Sequence, residues 1–323
     1  MSILNKLLFL GMASLAISCN EESAVTNSST SNTNKTTTTA IVAANPKRFL
    51  FDATKAETAG NADWVIDADT SPQRIPTPLQ STITSSTTES YWRGALSSWG
   101  IALAKLGHTV ETLPSGTAIT YGGTGAQDLK NYDVFVIDEP NIRFTAAEKT
   151  AIINFVKNGG GLFMISDHTV SDRNNDGWDS PAIWNDLMTT NSVQANPFGI
   201  NITLNNISET TSNRLSTTTN PILNGSQGVV SQLKYSNGAT MTINTTANPT
   251  VQGLIWRGSS SQGTSNIMCA SATYGTGRVV VIGDSSPADD GTGASGDTLY
   301  PGWTELASHS RLHMNASLWL AKL

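Results

Sequence analysis

Continuous apolar runs alternate with helical patterns along the middle of this 323-residue chain. The run from Tyr132 to Ile137 (YDVFVI) is almost wholly apolar, as is typical of a parallel strand covered on both faces. Thr145, with Glu148 three residues on, predicts the start of a helix that reaches Lys157, and a Gly-rich turn then leads into the apolar run 162–166. This alternation predicts a doubly wound α/β sheet flanked by helices.

The pattern extends toward both ends of the chain. Segments with strand character lie at 48–52, 109–113, 202–205, 252–256, 267–273 and 278–283. Helices are predicted at 91–106 and, at the end of the chain, at 303–323. The polar stretch 208–250 predicts an excursion that carries a small β hairpin, so the second half is β-rich.

The first 18 residues have the layout of a secretory signal peptide: Lys6, an apolar stretch 7–17, and small residues before Cys19. The sequence LAISC resembles a bacterial lipobox, which predicts a lipid on Cys19 and therefore an exported outer-membrane or cell-surface lipoprotein. The alternative is an ordinary cleavage site and a secreted protein. Residues 19–45, rich in Ser, Thr and Asn, predict a flexible tether, and 46–323 predict one domain.

Composition narrows the class of partner. Charged residues make up only 14% of the chain, and 25 acidic against 19 basic side chains give a formal charge of −6, which argues against a nucleic-acid partner. Of the two cysteines, Cys269 lies in an apolar run and is predicted to be a core residue. No pattern indicates an organic cofactor or an oligomeric state.

Three stretches carry a family resemblance: YDVFVIDEP (132–140), FTAAEKTAIINFVKNGGGLFMISDH (144–168) and GTGRVVVIGDSS (275–286). They resemble the class I glutamine amidotransferase-like superfamily, within it the branch of the trehalose-utilisation (ThuA) proteins and gliding-motility-associated domains. The resemblance implies a flavodoxin-like, mostly parallel sheet with ligands at the carboxyl ends of its strands. The glutaminases of this superfamily place a Cys where this chain has Asp167, so a Cys-dependent glutaminase is excluded.

Four loops that follow predicted strands are acidic: 52–69, 138–141, 166–180 and 283–297, here the first to fourth loops. They contain 15 of the 25 acidic residues but only two cations, Lys55 and Arg173. Because the carboxyl ends of parallel strands meet at one edge of a sheet, we expect a bound cation or a general acid there.

A hydrolase would use these groups directly. Asp167 and His168 are predicted as general acid or base, and Lys55 or a cation would stabilise developing negative charge. The other predicted catalytic residues are Asp52, Glu57, Asp284 and His309. The predicted ligand-binding residues are Asp63, Trp64, Glu139, Asn141, Trp178, Ser285 and Asp289, the tryptophans as sugar-stacking faces or, alternatively, as lids or core.

The third loop contains half of a calcium motif. Asp172, Asn174 and Asp176, followed by a Gly, place oxygen ligands at alternate positions, but the twelfth position is Ile183, so a complete EF-hand is excluded. Asp179 or Asp186 is the candidate for a further ligand. The alternative is a loop in which these side chains bond to their own backbone.

The sequence gives weaker support to two other kinds of site, a zinc site and a serine nucleophile. His309 and His313, one helical turn apart, could bind zinc with an aspartate, but the helix lacks the HExxH pattern. Ser166 and Ser285 lie at strand ends without the glycines of a nucleophile elbow.

The sequence therefore predicts an exported hydrolase of an extracellular polymer, polysaccharide first, at an Asp/His-rich, cation-assisted site. The alternative is a non-catalytic surface lipoprotein that binds glycan or protein and holds a structural calcium ion, since the resembling branch includes domains with no established catalytic apparatus.

Overall fold

The computed structural model describes residues 45–68 and 80–323. The predicted signal peptide, the lipidation site Cys19 and almost all of the predicted tether lie outside the described residues. The strands are β1 Arg48–Asp52, β2 Thr109–Leu113, β3 Val134–Asp138, β4 Gly161–Ile165, β5 Ile200–Ile202, β6 Ile207–Thr211, β7 Asn224–Gly225, β8 Gly228–Val229, β9 Leu233–Gly238, β10 Met241–Ile243, β11 Gln252–Trp256, β12 Ile267–Tyr274 and β13 Gly277–Ile282. The helices are α1 Ser97–Lys105, α2 Ala146–Lys157, α3 Ser180–Thr189, α4 Gly302–Glu305 and α5 Ala307–Leu320.

Nine strands form the main sheet, in the order β2-β1-β3-β4-β13-β12-β10-β5, with β11 also paired to β12. The five strands from β2 to β13 are parallel, and their order corresponds to the 2-1-3-4-5 order of flavodoxin-like folds, with β13 as the fifth strand. The predicted fold class, a mostly parallel α/β sheet flanked by helices, is confirmed.

The β-rich second half is also confirmed. It lies between β4 and β13 in the chain and adds antiparallel strands beyond β13. Within the predicted excursion, β6 pairs with β9 in a separate two-stranded ribbon. Cys269 is buried in β12, as predicted for a core residue.

The first helix begins later than predicted, at Ser97 instead of residue 91. The backbone of residues 95 and 96 donates its N–H groups to the carbonyls of Asp63 and Val65 in the first loop, at 3.0 Å each. Gly94 packs so closely there that an added Cβ would stand 2.1 Å from the Val65 oxygen. Tertiary contact with the first loop thus displaces the initial turns of the predicted helix.

Two further differences lie at helix ends. The closing helix is divided into α4 and α5 because Leu306 is extended, with φ −125° and ψ 123°. The prediction missed α3, which Asp179 caps by accepting the Ala182 N–H at 2.9 Å. In contrast, the predicted start of α2 is confirmed: Thr145 and Glu148 form a reciprocal capping box.

The sheet carries a hydrophobic core on each face. Trp99, Phe163 and Leu312 pack on the face of α1 and α5, and Phe135, Ile152 and Trp184 on the face of α2 and α3. Across 45–68 and 80–323, no helix is both long and apolar enough to span a bilayer.

Candidate functional site

Three adjacent parallel strands each deliver an aspartate at their carboxyl ends. Asp138 ends β3, Asp167 follows β4, and Asp284 follows β13. All three are buried, and Asp138 is only 1% exposed. The structure thus brings together two predicted catalytic residues, Asp167 and Asp284, with an aspartate that the sequence analysis did not single out.

Arg173 is the cation of this cluster. Its Nε and Nη2 donate to Oε1 and Oε2 of Glu139 at 2.5 and 3.1 Å, and Nη2 also donates to Asp167 Oδ2 at 3.2 Å. Nη1 reaches Asn61 Oδ1 in the first loop at 3.1 Å, and Ser285 Oγ of the fourth loop donates to Glu139 Oε2 at 3.1 Å. One guanidinium and one carboxylate therefore link all four acidic loops.

Burial dominates the acid–base properties of this cluster. It raises the pKa of Asp138 and Asp167 well above the usual range, and the charges of Glu139 and Asp284 raise both further. Burial raises the pKa of Asp284 to about 7, although backbone N–H groups of Ser286 and Ser236 act in the opposite direction. Neither carboxyl oxygen of Asp138 has a hydrogen-bond partner among the described residues.

Asp52 and Glu57 form a separate buried pair. Asp52 Oδ1 accepts from the Thr54 N–H at 3.1 Å, and Glu57 Oε2 accepts from the Lys55 N–H at 2.7 Å. Burial raises the pKa of both carboxyls, and the charge of Asp52 raises that of Glu57 further. Lys55 donates its Nζ to Glu148 Oε1 at 2.7 Å, so its charge is paired with the glutamate of the α2 capping box. The predicted catalytic role of Lys55 is therefore not supported by its position.

The rings of the two predicted catalytic histidines bond to backbone groups. His168 Nδ1 lies 2.6 Å from the carbonyl of Thr169. His309 has both ring nitrogens engaged, with Nδ1 2.7 Å from the Gly302 carbonyl and Nε2 accepting from the Lys234 N–H at 3.0 Å. Burial lowers its pKa, so the ring is neutral and held in place. His309 was predicted to be catalytic, but these bonds give it a structural role.

The two candidate tryptophans are covered by arginines. Trp64 is 2% exposed, and the Arg173 guanidinium lies 5.8 Å from its ring centroid. The Arg143 guanidinium lies 4.0 Å from the ring of Trp178. Trp64 therefore agrees with the alternative prediction, a core residue, because its ring is part of the protein interior and presents no face to a sugar.

The third loop folds onto its own backbone. Asp172 accepts from the N–H groups of Asp176 and Gly177 at 3.0 and 2.7 Å. Asp176 accepts from the Trp178 N–H at 2.9 Å, and its other oxygen accepts from Asn174 Nδ2 at 3.1 Å. No three His, Cys, Asp or Glu side chains in the part of the chain that the structure describes are placed to hold a metal ion. Calcium binding by this loop stays a prediction.

A cleft of about 490 Å³ opens at the carboxyl ends of β1 and β2. Its walls come from the first loop, the segment after β2 and the fourth loop. The lining residues are Ala53, Thr58, Ala62, Asp63, Val65, Ala68, Pro114, Ser115, Ala294 and Asp297. Two carboxyl groups, Asp63 and Asp297, thus face a solvent-accessible space whose lining, in the described residues, contains no Lys or Arg.

The two carboxyl groups of the cleft differ in environment. Asp63 is 3% exposed, and burial together with the charge of Asp297 raises its pKa to about 8. Asp297 is half-buried. Oδ2 of Asp63 and Oδ2 of Asp297 lie 2.5 and 3.3 Å from the point where a Cβ on Gly293 would stand, so the two oxygens are near neighbours. At neutral pH, Asp63 can donate a proton beside a second, more solvated carboxyl group.

Sequence reasoning placed Asp63 among the ligand-binding residues but did not pair it with Asp297. No motif joins them, since 233 other residues separate the two positions in the chain. Arg173 did carry a signal, as one of only two cations in the four acidic loops. The other predicted ligand residues, Glu139, Asn141, Ser285 and Asp289, are buried and bonded within the protein.

No family model matches the chain, and comparison with curated proteins finds no match. Among solved structures, the chain is similar to the N-terminal domain of mmIFT52, with 15% identity and a TM-score of 0.48 over 84% of this chain and 97% of that one. A cytoplasmic protein of Salmonella typhimurium matches with 14% identity and a TM-score of 0.46 over 85% and 98%. A ThuA-like protein of Bacteroides uniformis matches with 12% identity and a TM-score of 0.45 over 85% and 91%. The fold is defined here by its own strand order and pairing.

Proposed function

We propose that this protein is an exported hydrolase of polysaccharide and that the cleft between Asp63 and Asp297 is its active site. The observation that carries the proposal is the difference between these two neighbouring carboxyl groups. Asp63 keeps its proton at neutral pH because its pKa is raised to about 8, whereas Asp297 is more exposed to water. Hydrolysis of a glycosidic bond needs such a pair, one acid and one carboxylate.

The chemistry follows from these roles. Asp63 gives its proton to the glycosidic oxygen while a carboxylate oxygen of Asp297 forms a bond to the anomeric carbon, and the bond from that carbon to the glycosidic oxygen breaks. Carboxyl groups that lie close together, as these two do, are typical of this two-step route through a covalent intermediate. In the second step Asp63 takes a proton from a water molecule, the oxygen of that water bonds to the anomeric carbon, and the bond to Asp297 breaks, which restores the starting state.

The site agrees with a polymer substrate outside the cell. The cleft is open to solvent at the edge of the sheet, so a chain can extend beyond it. The predicted signal peptide and the predicted lipid on Cys19 would carry and hold the domain outside the inner membrane. If Cys19→Ala leaves the protein in the membrane fraction, the lipid anchor is wrong.

The test is the release of reducing ends from a panel of polysaccharides, from about pH 5 to about pH 9, by the full chain. Asp63→Asn and Asp297→Asn should each lower turnover about 100-fold or more, because the first removes the proton donor and the second removes the carboxylate that bonds to the anomeric carbon. Glu305→Gln, which changes an acid outside the cleft, should leave turnover unchanged. Parallel assays with EDTA and with calcium test the assistance of a cation.

A second function is favoured by the bonding of the central cluster. Arg173 pairs with Glu139 and Asp167, and Lys55 pairs with Glu148. Glu139, Asp167 and Lys55, which the sequence predicts as catalytic or ligand-binding groups, are therefore bonded to other parts of the protein. A non-catalytic domain that binds glycan or protein would have this arrangement. Binding of a polysaccharide without release of reducing ends would support this function and exclude the hydrolase.

A further inference from the structure

The segment 291–300, here the cleft flap, carries two of the residues that line the cleft, Ala294 and Asp297. Both ends of the flap bond to one side chain. Oδ1 of Asp289 accepts from the Gly291 N–H at 2.8 Å, and Oδ2 accepts from the Tyr300 N–H at 2.7 Å. A single carboxylate therefore closes the flap into a ring and determines the separation of its ends.

Asp289 is itself firmly placed. Its side chain is buried, and its carbonyl accepts from the Trp303 N–H at 2.7 Å. The next residue, Asp290, donates its N–H to the Ala95 carbonyl at 2.9 Å and accepts from the Ser98 N–H at 2.7 Å. Residue 290, at the base of the flap, is thus bonded to the start of α1. The neighbouring carboxylate of Asp289 bonds to both ends of the flap.

The middle of the flap also meets the first loop. Asp63 Oδ2 accepts from the Ala294 N–H at 3.2 Å, the carbonyl of Asn61 accepts from the Thr298 N–H at 2.9 Å, and Asn61 Nδ2 donates to Thr298 Oγ1. Gly291 and Gly296 have φ of +79° and +108°, a conformation that side chains disfavour. The position of Asp297 over the cleft therefore depends on these bonds and on how the two ends of the flap are held.

We propose that Asp289 is a positioning residue of this site: by tying both ends of the cleft flap it holds Asp297 beside Asp63. This inference rests on the proposed function and assigns a role to a residue that the sequence analysis had placed among the ligand contacts. Asp289 does not line the cleft, so it acts through the flap and not on the substrate.

Asp289 also acts on Asp63 through its charge. Within the part of the chain that the structure describes, the charges of Asp297, Asp289 and Asp290 raise the pKa of Asp63. Asp289 is faced by Asp290 and Asp297, and it also acts on Asp138 of β3 and on Tyr300 of the flap. Replacing Asp289 by a neutral residue therefore lowers the pKa of Asp63, in addition to loosening the flap.

Asp289→Asn is the first test. The amide keeps the volume of the side chain but can accept only one of the two N–H bonds, because its NH₂ group is a donor. We expect kcat to fall about tenfold or more, with KM changed less than about twofold, because a displaced Asp297 weakens catalysis more than binding. The decline of activity at high pH should move to lower pH, since Asp63 loses its proton more readily.

Gly291→Ala separates position from charge. An added Cβ would meet no atom closer than 3.8 Å, so the substitution strains the backbone at φ +79° without a clash. We expect a lower kcat and a shift of the pH limit that is smaller than in Asp289→Asn, because every carboxyl group is retained and only the position of Asp297 changes. A shift of the pH limit as large as that of Asp289→Asn would contradict the division of roles.

Two measurements do not need turnover: carbon-13 NMR titration of Asp63, and amide hydrogen exchange of residues 291–300. In Asp289→Asn, the titration of Asp63 should move to lower pH and exchange in the flap should become faster. If these changes occur in a protein that hydrolyses no polysaccharide, the proposed function fails and the positioning role stands. Wild-type kcat together with wild-type exchange in Asp289→Asn would overturn the positioning role.

Discussion

The guanidinium of Arg173 holds the carboxylate of Glu139 by two parallel hydrogen bonds, Nε to Oε1 at 2.5 Å and Nη2 to Oε2 at 3.1 Å. Glu139 has a positive φ of 45°, which is uncommon for a residue with a side chain. The strained backbone at the end of β3 directs its carboxylate toward the third and fourth loops, and the ion pair holds it there. Two residues that are far apart in the sequence thereby join the loops at one edge of the sheet.

Removing Arg173 should be costly. In Arg173→Met, the buried carboxylates of Glu139 and Asp167 lose their cation, so we expect the free energy of unfolding to fall by about 3–5 kcal/mol. Urea denaturation measures the change. Arg257→Met is the control, because its partner Glu209 and Arg257 itself are more exposed, and there we expect a loss of about 1 kcal/mol or less. Equal losses in the two variants would show that the buried pair has no special role.

Stability should decrease with pH above neutrality. The folded protein raises the pKa of Asp284 and Asp289 to about 7 and that of Asp63 to about 8, against an ordinary value of 3.8. Between the ordinary and the raised values, the folded state keeps protons that the unfolded chain has released, so the free energy of unfolding falls as pH rises, and the contribution of these three groups to the fall ends above about pH 8. The histidines with lowered pKa oppose this only below their ordinary value of 6.5.

The measurement is the Tm from about pH 7.5 to about pH 8.5, well above the ordinary value of 6.5, where the histidines with lowered pKa are mostly neutral in both states. Each group contributes at most about 1.4 kcal/mol per pH unit. Asp63→Asn should flatten the decline, because it removes the group with the highest of the three values. A Tm that rises over this interval would contradict the raised pKa values.

The capping box of α2 should contribute measurably. Thr145 Oγ1 accepts from the Glu148 N–H at 3.2 Å, and Glu148 Oε2 accepts from the Thr145 N–H at 2.9 Å. Thr145→Ala removes the first bond and also the bond that the Thr145 hydroxyl donates to Glu148 Oε2 at 3.1 Å, and we expect a loss of about 1 kcal/mol in urea denaturation. Thr145→Ser keeps the hydroxyl and should stay close to the wild type. A loss of equal size in both variants would assign the effect to the methyl group.

Val170 offers a site for stabilisation. It is 81% exposed and has φ +61°, a conformation that is strongly disfavoured for a β-branched residue. Asp179 Oδ2 accepts its N–H at 2.8 Å and holds it there. Val170→Asn keeps that N–H and tolerates the conformation, so we expect a gain of about 1 kcal/mol in the free energy of unfolding. Val170→Ile, which retains the β-branch, should show no gain.

Much of the fold was predictable because its signals are local. Apolar runs and the Thr145–Glu148 spacing correctly located the central strands and the start of α2. The failures were at places where distant contacts decide the backbone. The first helix lacks its predicted initial turns because the backbone there bonds to the first loop. The sequence of 91–106 contains nothing that indicates those partners.

The candidate site was predictable only in part. Loop acidity correctly indicated a concentration of carboxyl groups at one edge of the sheet, and Asp63, Asp167 and Asp284 were named from it. Which carboxyl group meets which cation, and which one faces open space, depends on loop conformation. Lys55 pairs with Glu148, and Arg173 pairs with Glu139. Both ion pairs join segments that are far apart in the chain.

The sequence by itself determined the α/β class and the acidic edge, because strand and helix periodicity and residue charge are properties of short segments. Only the tertiary structure decided that Arg173 closes the central cluster and that Asp63 and Asp297 face a cleft. The physical reason is that pairing and burial of charge are set by the distances between segments. Those distances arise only when the five parallel strands bring their loops to one edge.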